Sequence, residues 1–295
     1  MKRSFITIEA VRSHLAELGI NSGDVIFIAA DIMRLGYFNG NRQKTLDDIV
    51  GVLISLVGSE GTLVIPAYTD TFYKFRKKPE IVFNESVNSN SGNLANHLLN
   101  YTGALRSKHP TNSLVAIGRQ AEFILSDHDE KSLSYTPLFK IIELGGKNLM
   151  LACFDKFSLA PMALHAAQEK LGYSVNHWQS GLIQSYYFKN GKKLLFTRMD
   201  IGGCVSGSHK FLGYHFMMDA IKILKFGSVT SALIDTNKSY DIFVSILKKN
   251  PEILKCDDTS CHDCYGSKIY NPRKFVYHWL CFIFRKIVYL SRLSR

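Results

Sequence analysis

The chain holds 295 residues, 36 Lys and Arg against 25 Asp and Glu for a formal charge of +11, and is 46% hydrophobic with 21 Gly and 7 Pro. That balance excludes a disordered, collagen-like or coiled-coil protein and predicts a globular chain of one large domain or two small ones. Glu9, Arg12, His14 and Glu17 interrupt residues 1–20, so no secretory segment is expected there, and the sequence predicts a cytoplasmic protein. The longest uncharged apolar stretch, residues 275–284, falls well short of the ~20 residues that span a bilayer. Six cysteines in such a chain predict reduced thiols rather than a disulfide framework.

Elements follow one another as alternating helix and strand. Thr7 caps a helix whose apolar positions Val11, Leu15 and Leu18 recur at helical spacing, and Gly19 supplies its left-handed stop. Residues 24–30 predict a buried strand. Thr45 and Asp48 form a capping box with Asp for Glu, and the stripe Leu46, Ile49, Val50, Leu53, Ile54 and Val57 predicts a helix closed by Gly58. Residues 61–66 read as a strand ended by Pro66. The polar stretch 70–90, with four Lys or Arg in residues 74–78, predicts an exposed loop over the strand ends and a candidate lid. Residues 114–117 and 147–154 predict strands and 158–171 a helix. Residues 182–188 and 192–198 pair as a hairpin about Asn190 and Gly191, and helices are expected over 208–225 and 240–249. The fold class is therefore α/β: one large α/β/α sandwich over residues 1–255 with a mixed central sheet and a β-hairpin insertion.

Residues 256–295 differ. Seven Lys or Arg against three Asp give +4, leaving +7 for residues 1–255. Residues 273–295 bracket aromatic and aliphatic side chains with basic ones and contain no acid. This C-terminal amphipathic helix suits peripheral association with an anionic membrane surface, while a terminal helix packed on the domain or a dimer contact gives the same pattern. Cys256-x4-Cys261-x2-Cys264, with His262 between and Cys281 beyond, has a spacing compatible with zinc or an iron–sulfur cluster. Cys281, the sequence's candidate fourth ligand, lies inside the apolar face, so free thiols beside a lipid-facing helix are the competing reading, and no metal is expected.

There is no phosphate-loop motif, no dinucleotide fingerprint and no zinc-protease motif, and the scattered Lys and Arg show no nucleic-acid module, so no nucleic-acid partner is expected. His165 and Glu169 stand four apart on the 158–171 helix, where a carboxylate could orient an imidazole and leave its other nitrogen free as a base. Asp155 lies at the exit of the preceding strand. Arg106, Ser107, His109, Thr111, Asn112 and Ser113 gather hydroxyls, a histidine and a cation before the 114–117 strand, as either a ligand site or an ordinary polar turn.

In chain order, Gly23-Asp-Val-Ile-Phe-Ile, Leu35-Gly36, residues 57–66 with Tyr68 and Thr69, residues 106–113 with Ala116-Ile-Gly118, Pro137-Leu-Phe139, Glu143-Leu-Gly-Gly-Lys147, the helix around His165, and Gly202-Gly-Cys-Val-Ser206 resemble the aminoglycoside 3-N-acetyltransferase family, which is unrelated to the GNAT acetyltransferases. The resemblance covers roughly residues 5–250 and implies acetyl-CoA as co-substrate and His165 as general base, with Asp155 and Glu169 as its companions. It places Asp31, Arg34, Thr69, Arg106, Ser107, His109 and Ser113 toward the CoA region and implies no metal. Three departures stand out: Ala29-Ala-Asp-Ile32 where the family usually has His-Ser-Ser-Leu, Asn112 where it has a second histidine, and Gln168 where its helix commonly has Glu.

The expected activity is acetyl transfer to an amino group of an amino sugar. A chain of +7 even without its tail steers anions, which favours a nucleotide-linked or lipid-linked amino sugar of surface polysaccharide biosynthesis as acceptor. An aminoglycoside-modifying antibiotic resistance enzyme is the alternative, and a catalytically silent membrane-surface scaffold a second one.

Overall fold

In a computed structural model of the chain, the described residues are 7–36, 42–154, 161–201, 203–258 and 261–265, with 276, 277, 280, 283 and 284 of the tail. Helix α1 (Ile8–Leu18) starts where Thr7 accepts a hydrogen bond from the Ala10 amide and stops at Gly19, whose φ of 111° only glycine adopts readily. Strand β1 (Val25–Ala30) leads through a single turn, α2 (Ile32–Leu35), to α3 (Arg42–Val57) and β2 (Thr62–Pro66). Among the described residues α3 thus begins three positions before the expected cap.

The 70–90 stretch is not a free lid. It contributes two short strands, β3 (Phe72–Tyr73) and β4 (Val82–Phe83), before α4 (Asn93–Leu99), β5 (Leu105–Arg106), β6 (Leu114–Gly118), α5 (Ala121–Leu125) and α6 (Thr136–Glu143). Strand β7 (Lys147–Leu151) precedes α7 (Met162–Lys170), and β8 (Ile183–Lys189) and β9 (Lys192–Arg198) form the expected hairpin. Its turn residues Asn190 and Gly191 have φ of 51° and 72°, the left-handed pair that a two-residue turn needs between right-twisted strands. Strand β9 runs along one edge of β8, so β3 and β4 share the other.

The expected helix over 208–225 is corrected. A 3-10 turn (Ser206–Phe211) and α8 (Leu212–Met217) give way to strand β10 (Ile221–Phe226), which pairs with β11 (Val229–Asp235). Asp219, at φ 48°, breaks the helix, and Gly227, at φ 59°, turns the hairpin. Helix α9 (Thr236–Lys249), capped by Asp235 through the Lys238 amide, starts four residues earlier than expected, and α10 (His262–Tyr265) follows the 3-10 turn Pro251–Leu254.

The main sheet runs β10-β11-β7-β1-β2-β6-β5. Its centre, β7-β1-β2, is parallel, and the flanking pairs are antiparallel. Alternation along β1 separates the layers: Ile26 and Ile28 pack with α1, α3 and α4, while Val25 and Phe27 pack with α5, α6 and α7. Two buried faces explain why the central strands read as continuous apolar runs. The result is the expected α/β/α sandwich with a mixed sheet. Among the described residues no helix is long and apolar enough to cross a membrane. Most of the 273–295 stretch lies outside the described residues, and its described members Val276, Tyr277, Leu280 and Phe284 are each more than half exposed.

Candidate functional site

Helix α7 is set in place by the sheet itself. Asn148, buried on β7, donates to the Phe27 carbonyl at 3.2 Å and accepts from the Met162 amide at 2.9 Å, which satisfies one of the free amides at the start of α7. Ala163, Ala166 and Ala167 let the helix pack closely between the sheet layer and α9. Between β7 and α7 the chain turns at Ala152, a non-glycine residue at φ 57°, held by the Ser231 hydroxyl on its amide and Arg34 on its carbonyl. Backbone strain of this kind concentrates at functional sites.

His165 projects from α7 and stacks on Tyr135, ring centroids 4.8 Å apart at 10°. Burial, assisted by the positive Arg198, holds its pKa down to about 4, so the imidazole is neutral at pH 7. Its Nδ1 is buried with no hydrogen-bond partner among the described residues, as are both carboxamide atoms of the fully buried Gln168. Buried polar groups without partners cost free energy and are rare in finished protein interiors.

Glu169 has a hydrogen-bond partner of its own. Its carboxylate accepts from the Tyr135 amide at 3.0 Å, and burial pushes its pKa up to about 7. Glu169 therefore positions the ring that stacks on His165. Asp155 lies outside the described residues. Three residues that sequence reasoning passed over complete the surroundings: Tyr135, Arg198 and Asp200. Arg198 donates to the Asp200 carbonyl at 2.8 Å and lies with its guanidinium 5.9 Å from the Tyr135 ring centre, while the buried Asp200 carboxylate accepts from the Ser134 hydroxyl at 2.9 Å. For Arg198 and Asp200 the only sequence signal was the end of the predicted hairpin; Tyr135 stands just before the Pro137-Leu-Phe139 segment.

The polar turn before β6 is a framework rather than an open cradle. Arg106 donates to the Ser113 hydroxyl at 3.0 Å, to the Ala67 carbonyl at 2.8 Å, and to the Glu85 and Val87 carbonyls, with Phe83 under its guanidinium. It clamps the 70–90 stretch onto β6. Ser113 donates to Ala67 at 2.7 Å, Thr69 to the Pro110 carbonyl at 2.5 Å, and the Ser107 hydroxyl accepts from the Leu114 amide at 2.8 Å. His109 is fully buried, its Nδ1 accepting from the Thr111 and Asn112 amides and its ring stacked on His128. These side chains are largely engaged with one another and with backbone, while His109 Nε2 is buried without a hydrogen-bond partner among the described residues.

Asp31 and Arg34 do stand at the carboxyl edge of the sheet, where α/β folds bind ligands. Beside them a cleft of about 300 Å³ is lined by Ala29, Ala30, Ile65, Pro66, Met150 and Cys153, at the ends of β1, β2 and β7. Its walls are largely apolar.

The cysteines gather in one place. Cys256, Cys261 and Cys264, free of disulfides, meet Cys204, from the loop after β9, with all four sulfurs within 4.8 Å of one another. The fourth member is Cys204, and Cys281 lies outside the described residues.

A family model described as aminoglycoside 3-N-acetyltransferase matches residues 27–248. Aminoglycoside N(3)-acetyltransferase IX of Micromonospora chalcea is 29% identical over 181 residues, covering 55% of this chain and 62% of that protein. Aminoglycoside N(3)-acetyltransferase III of Serratia marcescens is 29% identical over 161 residues, 49% and 58% of the two chains. The matched stretch thus spans about three-fifths of these curated relatives. Among solved structures, AAC-IIIb in a binary complex with CoASH superposes with a TM-score of 0.68 at 25% identity, covering 83% of this chain and 97% of that one. A variant of AAC(3)-IVa in complex with a gentamicin gives 0.73 at 18% identity, covering 92% and 99%. The match over residues 27–248, most of the chain's length, makes this chain a member of the aminoglycoside 3-N-acetyltransferase family.

Proposed function

We propose that the chain is an acetyl-CoA-dependent N-acetyltransferase that acts on an amino group of an aminoglycoside-type amino sugar, with His165 as general base. The observation that carries this is the neutral imidazole on α7, whose Nδ1 is buried without a hydrogen-bond partner among the described residues. The amine nitrogen attacks the thioester carbonyl, the C–N bond forms and the C–S bond breaks. The proton lost by the nitrogen passes to His165 and then to the departing CoA sulfur. Once the C–N bond forms, the nitrogen's proton becomes strongly acidic, so a base with a depressed pKa is sufficient to accept it. The apolar cleft beside Ala29 and Ala30 suits a pantetheine arm. Relatives named as aminoglycoside N(3)-acetyltransferases support a drug-like polyamine as acceptor.

The surplus of positive charge favours a second acceptor class, an amino sugar carried on a nucleotide or lipid phosphate. Thiol release from acetyl-CoA, measured with kanamycin-type and gentamicin-type drugs beside nucleotide-linked amino sugars, separates the two. General-base assistance contributes about 10²–10⁴ in rate, so His165→Ala should lower kcat by that factor while the folded spectrum is kept. Full turnover in a folded His165→Ala protein excludes the assignment, and absence of acetyl-CoA binding by calorimetry points to a silent scaffold instead.

The exposed apolar residues of the tail, set among basic ones, support peripheral attachment to an anionic membrane face. Co-sedimentation with anionic vesicles, weakened by salt and abolished by deletion of residues 273–295, is the expected result; equal binding to neutral vesicles counts against it.

A further inference from the structure

We propose that Cys204, Cys256, Cys261 and Cys264 form a mononuclear tetrahedral zinc site that fastens the segment after residue 255 to the catalytic fold. The sulfurs come from two stretches far apart in sequence, yet all lie within 4.8 Å of one another, and those of Cys256 and Cys264 are 3.6 Å apart. Zinc bonded to four thiolates at about 2.3 Å places neighbouring sulfurs about 3.8 Å apart. The cluster is thus at the size of one metal ion. A polynuclear iron–sulfur centre spreads its ligand sulfurs further, and a disulfide needs about 2.05 Å.

The surroundings are those of a built site. The Cys256 amide donates to the Cys264 sulfur at 3.3 Å, a bond of the kind that stabilises thiolate charge around a metal. Cys204 and Cys264 are buried. The two contributing segments meet at backbone contact: a Cβ on Gly207 would fall 2.0 Å from the Leu254 carbonyl oxygen. Polar contacts adjoin the cysteines in sequence: Lys210 pairs with Asp257 at 3.0 Å, and the His209 and His177 imidazoles lie 3.3 and 3.5 Å from the Asp257 and Asp263 carboxylates. The Lys210 ammonium also donates to the Lys255 carbonyl at 2.6 Å, beside a cluster that carries net negative charge once zinc is bound.

The same loop touches the catalytic helix, since a Cβ on Gly203 would lie 3.6 Å from the Gln168 side-chain nitrogen. Zinc at this position therefore braces the back of α7 without entering the acetyl-transfer chemistry. The proposal stands whether or not the acceptor assignment holds.

The full chain, purified in reducing buffer without chelators, should contain about one zinc per molecule by elemental mass spectrometry. A mercurial that caps thiols should release it. Cys204→Ser and Cys264→Ser should each lose most of the metal, and Cys153→Ser should keep it. Where a variant fails to fold, apo wild-type protein titrated with cobalt(II) gives an independent answer: the intense visible bands of tetrahedral cobalt and a near-ultraviolet sulfur-to-metal band should saturate at one equivalent. Folded wild-type protein without zinc and without cobalt bands overturns the proposal. So does peptide mapping of rapidly alkylated cells that finds these cysteines joined as disulfides.

Discussion

Burial moves His165 and Glu169 in opposite senses, and the two shifts act against each other as pH changes. His165 is held at about 4 and His128 at about 3, both below the ordinary 6.5. Between those values the unfolded chain takes up protons that the folded chain refuses, so stability falls as pH drops from 6.5. Each of the two costs about 2 kcal/mol at pH 5. His14, His109 and His215 are lowered by the same desolvation. Glu169, raised from 4.5 to about 7, has the other sign: its contribution is full below 4.5 and lost as pH rises through 7. The histidines outnumber it, so the urea midpoint should be lower at pH 5 than at pH 7, and Glu169→Gln should steepen that fall. The same variant tests the role of Glu169. The amide oxygen still accepts from Tyr135, so most turnover should survive, whereas Glu169→Ala leaves that amide unsatisfied and should cost about 1–3 kcal/mol in a denaturation curve. A hundredfold kcat loss in folded Glu169→Gln would identify it as the imidazole's partner. His165 was singled out by its place in the family pattern, and its stacking on Tyr135 was not visible there. Nor was the direction of Glu169, because helical spacing says which residues share a face and not which backbone amide waits in the neighbouring loop.

At the level of elements, the sequence was clearest where a local device fixes the geometry: the Thr7 cap, the Gly19 stop and the Asn190-Gly191 turn all stand where their chemistry requires. It misled over 208–225, where Leu212–Met217 is helical but Ile221, Ile223 and Lys222, Lys225 follow a mixed period that only pairing with β11 resolves. The polar turn 106–113 is ambiguous for another reason. Serines, threonine and arginine that look suited to a ligand are the same groups that fasten a long surface segment, and sequence does not tell which use they meet. Arg106 makes this concrete, since its planar fork reaches a hydroxyl and three carbonyls at once. A lysine offers no such fork. Arg106→Lys should therefore release the 70–90 stretch and accelerate tryptic cleavage within residues 74–78 several-fold, with acetyl-CoA affinity little changed.

Across the whole molecule, the large sheet ends at both sides in strands poorly suited to recruit another chain. One border is β5, two residues long; the other is β10, which carries Lys222 and Lys225 among its apolar residues. Open borders of a sheet are templates for stacking with neighbours, and brevity or lysine charge blocks that pairing. In a basic chain these ammonium groups add mutual repulsion between copies. Replacing both lysines with valine should leave the monomer folded yet make concentrated solutions turn turbid and bind amyloid dyes on warming, while the parent stays clear. What looks like a plain rim thus keeps crowded molecules from growing into a continuous ribbon.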